Sequence, residues 1–245
     1  MIGQLRAELF KQRSTPTIAV LVIAMAGLVA LAIAMHVLVP DAAEISSRDY
    51  QLKMFVVGTN IGMLFAALLG AIVVTTEFRF GTARPTFLVT PRRWKVMLAK
   101  IIVGAVAGLL LGLLAETLMA GAATAALAAR DITNQLDAGD YVQVLTGGMA
   151  AAALWAAIGV GVGAIVRNQV GAVIGLCAWI LVIENLLIGM VPRFGAYTPG
   201  AAGLSLTGQT SADLLSPGWA AALLVAFAVG IAALGSGFVA HRDVA

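Results

Sequence analysis

Residues 54–76 read MFVVGTNIGMLFAALLGAIVVTT, a stretch with no charged side chain. As a helix it rises about 35 Å, enough to cross ~30 Å of hydrocarbon. Gly58, Gly62, Ala66 and Gly70 fall on every fourth position of it. Small residues at that spacing make one flat face, on which a second backbone can approach closely. The stretch therefore reads as a membrane-spanning helix that packs against other helices.

Five further apolar runs lie outside it, at 17–39, 96–127, 144–166, 170–191 and 218–240. The run 96–127 is long enough to tilt or to project past the bilayer. Ala32-Ile33-Ala34 resembles a signal-peptide cleavage site, but the apolar stretch before it exceeds the roughly 7–15 residues of a signal-peptide core, so a retained span is expected. Composition agrees with a membrane protein. Of 245 residues, 61% are hydrophobic and 11% charged, against roughly 25% charged in soluble domains. Mean hydropathy is +0.99. These values exclude a soluble enzyme, a nucleic-acid-binding module and a disordered chain. The expected fold is an all-α integral membrane protein with six transmembrane helices, forming one transmembrane domain over residues 1–245.

The few charges are sorted. Arg6, Lys11, Arg13, Arg79, Arg84, Arg92, Arg93, Lys95, Lys100, Arg167 and Arg242 fall on one side of the six-span topology. Arg48, Lys53, Arg130 and Arg193 fall on the other, with Asp41, Glu44, Asp49, Asp131, Asp137, Asp140 and Asp213. The positive-inside rule places the first set, and both termini, in the cytoplasm. The net charge of +3 requires no nucleic-acid partner. Cys177 is the single cysteine, so neither an intrachain disulfide nor a cysteine zinc site can form. His36 and His241 lie at opposite membrane faces on this topology, and no metal site or catalytic residue is expected. No Gly-Lys pair occurs, which excludes the usual P-loop ATP chemistry.

The connecting pieces carry more. In residues 1–15, Ile2, Leu5, Leu9 and Phe10 recur at helical spacing, with Arg6, Lys11 and Arg13 on other faces. That predicts an amphipathic helix lying in the interface. Thr15 is expected to cap the first span, with Pro16 at its first position. Residues 192–217 are rich in Gly and Pro yet keep Leu204, Leu206, Leu214 and Leu215. A solvated loop has no use for those leucines, so the segment is expected to fold back into the outer leaflet against protein. Neither an internal repeat nor a soluble domain is evident.

Further small-residue stripes occur at Gly104, Gly108 and Gly112, at Gly159 and Gly163, and at Gly171 and Gly175. Packing within the bundle and a subunit seam both explain them, and either keeps these helices mostly away from lipid. Glu116 continues the third-span stripe and Glu184 sits in the fifth span. At 1.5 Å per residue they lie about 24 Å above Lys100 and about 21 Å above Val170, at similar depth. Asn60 can be level with them. A mid-membrane carboxylate is costly and must face protein or water. Hydrogen bonding to a neighbouring helix, a polar substrate path and proton coupling through the pair all remain open here.

The connector after the second span runs Thr76-Glu77-Phe78-Arg79-Phe80-Gly81-Thr82-Ala83-Arg84-Pro85-Thr86-Phe87-Leu88-Val89-Thr90-Pro91-Arg92-Arg93. Thr82 can cap a short helix with Pro85 in its first turn. That helix would present Phe87 and Leu88 from a rim of Arg79 and Arg84, and Thr90-Pro91 would start the third span. Lipid anchoring explains Arg92, Arg93 and Lys95, but not the stiff, aromatic middle, which suits docking to a soluble partner.

This run resembles the E-[FY]-R-x-G-T…P-R-R signature of ABC-2 type transporter permeases. The amphipathic start with Glu8, Leu9 and Lys11 is similar to that family's elbow helix, and His241-Arg242-Asp243 to its basic-acidic tail. The resemblance implies a dimer of permeases, either two copies or this chain with a related one, each docked to a separate ABC ATPase. ATP and Mg would be held by that ATPase, and no cofactor by this chain. Residues 77–93 would be the coupling connector. Phe87 and Leu88 would enter the ATPase and Glu77 and Arg79 would hold the helix to the spans, with Gly81, Thr82, Arg84 and Pro85 in the same ATPase-coupling set. Residues 192–217 would be a re-entrant helical pair. The substrate would be a small amphiphilic, drug-like or lipid-like molecule exported across the cytoplasmic membrane. A proton-coupled transporter using Glu116 and Glu184, and a non-transporting scaffold or immunity protein, are the alternatives.

Overall fold

The computed structural model describes residues 1–90, 92–209 and 214–241, with only the backbone of His241. Pro91, Asp213 and the tail residues Arg242 and Asp243, all of which figure in the sequence reading, lie outside the described residues. The helices, in chain order, are α1 (Ile2–Ser14), α2 (Thr17–Leu38), α3 (Ala42–Ile45), α4 (Arg48–Arg79), α5 (Ala83–Val89), α6 (Arg93–Ala129), α7 (Ala138–Val166) and α8 (Gln169–Ala178). A π-turn over Trp179–Ile183 then leads to α9 (Glu184–Met190), α10 (Pro192–Gly195), α11 (Pro199–Ser205) and α12 (Pro217–His241). No strand occurs among the described residues. Six helical segments are long and apolar enough to cross a membrane: α2, α4, α6, α7, the continuous α8–π–α9 and α12. Each overlaps a run read from the sequence.

The centre of the bundle is α4, α6 and α7, packed on one another. Glycine allows the approach. A Cβ on Gly108 would stand 2.6 Å from the Ala156 Cβ, and one on Gly112 would stand 2.7 Å from the Ala152 Cβ. Gly62 faces Gly112 and Ala115, while Gly159 lies on the Ala67 carbonyl and Gly163 on that of Ala71. A Cβ on Gly104 would meet only the Val160 Cγ2, at 3.1 Å. α2, α8–α9 and α12 stand outside this core and are largely exposed. The Gly171/Gly175 stripe departs from expectation. Both residues are exposed, and nothing lies within 4 Å of a Cβ on Gly175. That face of α8 is turned away from the rest of the chain.

Helix ends also correct the sequence reading. Thr15 does not cap α2, which begins after Pro16 without a side-chain cap. Because α1 runs to Ser14, the Thr15 hydroxyl instead donates back to the Lys11 carbonyl at 3.2 Å, satisfying an orphan acceptor at a helix end. Thr82 makes no side-chain cap either; its carbonyl accepts from the Thr86 hydroxyl at 2.9 Å. α7 starts with a reciprocal box: the Asp140 amide donates to Asp137 Oδ1 at 2.9 Å and the Asp137 amide to Asp140 Oδ2 at 3.1 Å. The π-turn loosens the helix, and Asn185 Nδ2 donates to the Ile180 carbonyl there at 3.0 Å.

Two ends of the bundle are distinct. One carries α1, α5 and the α7–α8 junction. The far end carries α3, α10 and the α6–α7 loop. There Gln51, fully buried, donates to the Ile45 and Thr133 carbonyls at 3.1 and 3.0 Å and accepts from the Gln135 amide at 2.8 Å.

Candidate functional site

The residue pattern of α1 decides which of its faces meets the protein. Glu8 and Gln12 are buried against the bundle, whereas Ile2 and Phe10 are 70% and 72% exposed. Arg6 and Arg13 are exposed as well and Leu5 is half-buried, so the inward face is the Glu8–Gln12 side, which meets charge on the bundle beneath it. Lys100, seven residues into α6, is 2% exposed. Its Nζ donates to Glu8 Oε2 at 2.9 Å and to Glu77 Oε1 at 2.8 Å. Lys11 Nζ closes the ring, donating to Glu8 Oε1 at 2.9 Å and to Glu77 Oε1 at 2.6 Å. Two ammonium groups and two carboxylates thus alternate, so no buried charge is left alone. Burial pushes the Glu8 carboxyl up, but the charge and hydrogen bonds of Lys100 and Lys11 outweigh it and hold the carboxyl below its ordinary value. Burial likewise pulls Lys11 down, and its bonds to Glu77 and Glu8 more than reverse this.

This quartet joins α1, the last turn of α4 and α6. α5 follows α4 directly, through Gly81 at φ +68, a left-handed turn suited to glycine. Gln4 Nε2 donates to Thr90 Oγ1 at 3.2 Å, tying α1 to the other end of α5. Phe87 is half-buried, with Arg93 stacked 5.4 Å over its ring, and packs against the buried apolar cluster made by Val74, Met97, Val160, Ala164 and Val239. It is therefore an anchor of α5 and not a projecting knob. Leu88 and Val89, at 74% and 86% exposure, point outward, with Phe80 and Arg84 also exposed. Ala83 is buried, while Thr82 and Pro85 are exposed. Arg79 donates to Gln169 Oε1 at 3.1 Å, linking α4 to α8. Beside the quartet a cleft of about 380 Å³ opens between α1, α2 and α4, with Ile18, Leu69, Ile72 and Val73 on its walls.

The two buried carboxylates near the far end have separate partners. Glu116 sits where α4, α6 and α7 cross. It accepts from the Thr59 hydroxyl at 2.6 Å, and Gly58 and Gly148 leave the room it fills. Glu184 accepts from the Gly200 amide at 2.5 Å, at the start of α11. It lies against Gly200, which has no side chain to exclude it. α11 is buried against α4, α7 and α12, and Gly203 rests on Met63, midway along α4. The expected leucine burial is only partial. Leu204, Leu206, Leu214 and Leu215 are half-buried, and the deeply buried residues include Pro199, Gly200, Ala201, Ala202, Gly203, Ser205 and Thr207. Asn60 does not join either carboxylate; it is exposed on the outer side of α4.

The resemblance gives Glu77 a holding role, but no local pattern pairs it with Lys11 and Lys100 or, through them, with Glu8. The available signal was Lys100 itself, a cation inside a long apolar helix. Compared with known proteins, the chain matches no family model and no curated protein.

Proposed function

We propose that this chain is the permease subunit of an ATP-driven exporter, similar to ABC-2 type permeases, energised by a separate ATPase that holds ATP and Mg. The observation that carries the reading is the construction of α5. A short helix with a proline in its first turn is anchored by Phe87 on the bundle and tied through Gln4 to α1. It turns Leu88 and Val89 outward beside Arg84. An apolar tip with a charged rim on a stiff mount suits insertion into a groove on a soluble partner. The quartet would carry force from α5 into α1 and α6, because α5 continues from α4 at Glu77. In this reading α5 is the coupling helix, α1 the interfacial elbow, and α10–α11 a re-entrant pair. The α1 end with both termini is cytoplasmic, and a second permease completes the dimer. The cleft beside the quartet, apolar in its walls and charged at its floor, favours an amphiphilic substrate.

Co-purification from membranes tests the proposal. The native chain should retain an ABC ATPase, and Leu88→Asp should lose it while the chain still inserts. An intact chain that retains no ATPase overturns the reading.

A further inference from the structure

The cleft between α1, α2 and α4 contains a polar group that the fold itself does not use. Gln12 lines the cleft and is 8% exposed, and its Nε2 has no hydrogen-bond partner within the chain. A buried donor left unpaired is costly, so an acceptor from outside the chain has a place waiting for it. The polar neighbours are already engaged. The Thr15 hydroxyl donates to the Lys11 and Gln12 carbonyls at 3.2 and 3.4 Å. The Glu8 and Glu77 carboxylates are held by Lys11 and Lys100 at 2.6 to 2.9 Å. At about 380 Å³ the cleft falls within the range of small-molecule sites, roughly 300–1,000 Å³.

Its charge and its walls select the occupant. Two ammonium groups and two carboxylates satisfy one another on the floor, so an ionised head would lose its hydration there without gaining an unpaired counter-charge. The walls are aliphatic: Leu69 is buried, and Ile18, Ile72 and Val73 are half-buried. They continue along α4 for about 12 Å from Glu77 to Leu69. We propose that the cleft binds an uncharged, single-chain amphiphile whose head carries a carbonyl oxygen, of the fatty-acyl ester class. The carbonyl accepts from Gln12 Nε2, and the chain lies along Ile18, Leu69, Ile72 and Val73. That such a molecule is the exported cargo rests on the permease reading; its binding in the cleft does not.

Photolabelling of the full-length chain in phosphatidylcholine nanodiscs tests this. Three probes share one diazirine-bearing lauroyl or dodecyl chain and differ in the head: lauroylglycerol, laurate and dodecylamine. Lauroylglycerol should label Leu69–Val73 and Ile18 about tenfold more than either ionic probe, and unlabelled lauroylglycerol should compete it away. Gln12→Leu removes the donor at similar size and should cut the labelling about fivefold. Ile72→Trp, which fills the cleft, should abolish it. Ile23→Trp on the outward face of α2, where Ile23 is 71% exposed, should leave it unchanged. Equal labelling by the three heads, full labelling in Gln12→Leu, or labelling of the same positions in Ile72→Trp overturns the proposal. The assay contains no ATPase, so a chain that retains no ATPase but is labelled in this pattern loses the permease reading and keeps the site. A chain that retains the ATPase but shows no head preference does the reverse.

Discussion

Lys100 shows how a single side chain can be indispensable without being favourable in isolation. A buried ammonium is costly unless paired, and here it meets Glu8 and Glu77 at 2.9 and 2.8 Å. Removing it leaves two carboxylates facing one lysine. Lys100→Met should therefore destabilise the purified protein by about 3–5 kcal/mol, read as a lowered unfolding midpoint in detergent. Adding Glu8→Gln to Lys100→Met restores neutrality and should recover most of that loss; a double variant no better than the single one would mean that size, not charge, governs the position. Glu116 and Glu184 follow the same rule with neutral partners, a hydroxyl and a helix-end amide. Each occupies space left by glycine, so Gly148→Ala or Gly200→Ala should displace the carboxylate and lower stability by about 1–3 kcal/mol.

At the scale of elements, α1 is held by its polar face, which makes its attachment sensitive to pH at both extremes. The Glu8 carboxyl titrates below its ordinary value of 4.5. Its stabilising share is present above that value and is lost as pH falls through the folded value. Lys11 titrates above 10.5, so its share is present below that value and is lost as pH rises through the folded value. The protection of α1 amides, taken relative to their intrinsic exchange rate at each pH, should accordingly stay high at neutral pH and fall in acid as the pH drops through the lowered Glu8 value; protection that does not change with acid pH would contradict the pairing. α11 depends on Glu184 at its start. Glu184→Ala should loosen α11 by about 1 kcal/mol, whereas Glu184→Gln keeps an acceptor and should cost less, measured by cysteine accessibility at position 202. The glycine faces divide similarly. Gly108→Leu should prevent α6 from meeting α7 and reduce the yield of folded chain, while Gly175→Leu should leave the fold of the single chain intact.

For the whole molecule, the decisive outcome is the one that tests the proposed permease reading. On that reading Leu88→Asp and Val89→Asp should release an ATPase partner, while Phe87→Ala should first loosen the chain's own α5, seen as faster proteolysis of residues 80–90 without ATPase present. Much of this architecture is local in origin. Each span is an uninterrupted apolar run, and a helix satisfies its own backbone within lipid, so the six spans were legible from residue order alone. Sorting of the basic residues and the positions of Gly81 and Pro85 in the connector were legible for the same reason. The partners were not. Glu8 and Lys100 are 92 residues apart, and nothing in either neighbourhood names the other. The seven residues of α5 are too few for periodicity to choose a face, so whether Phe87 points in or out depends on the patch formed by α4, α6, α7 and α12. The small-residue stripes looked alike in sequence, yet those of α4, α6 and α7 are buried and that of α8 is not. Residue order alone specifies six apolar spans of a helical membrane protein, because hydrophobic length and charge are properties of single segments. The Glu8–Lys11–Glu77–Lys100 ring, the inward turn of Phe87 and the seats of Glu116 and Glu184 arise only when the helices assemble, because each is a contact between different helices.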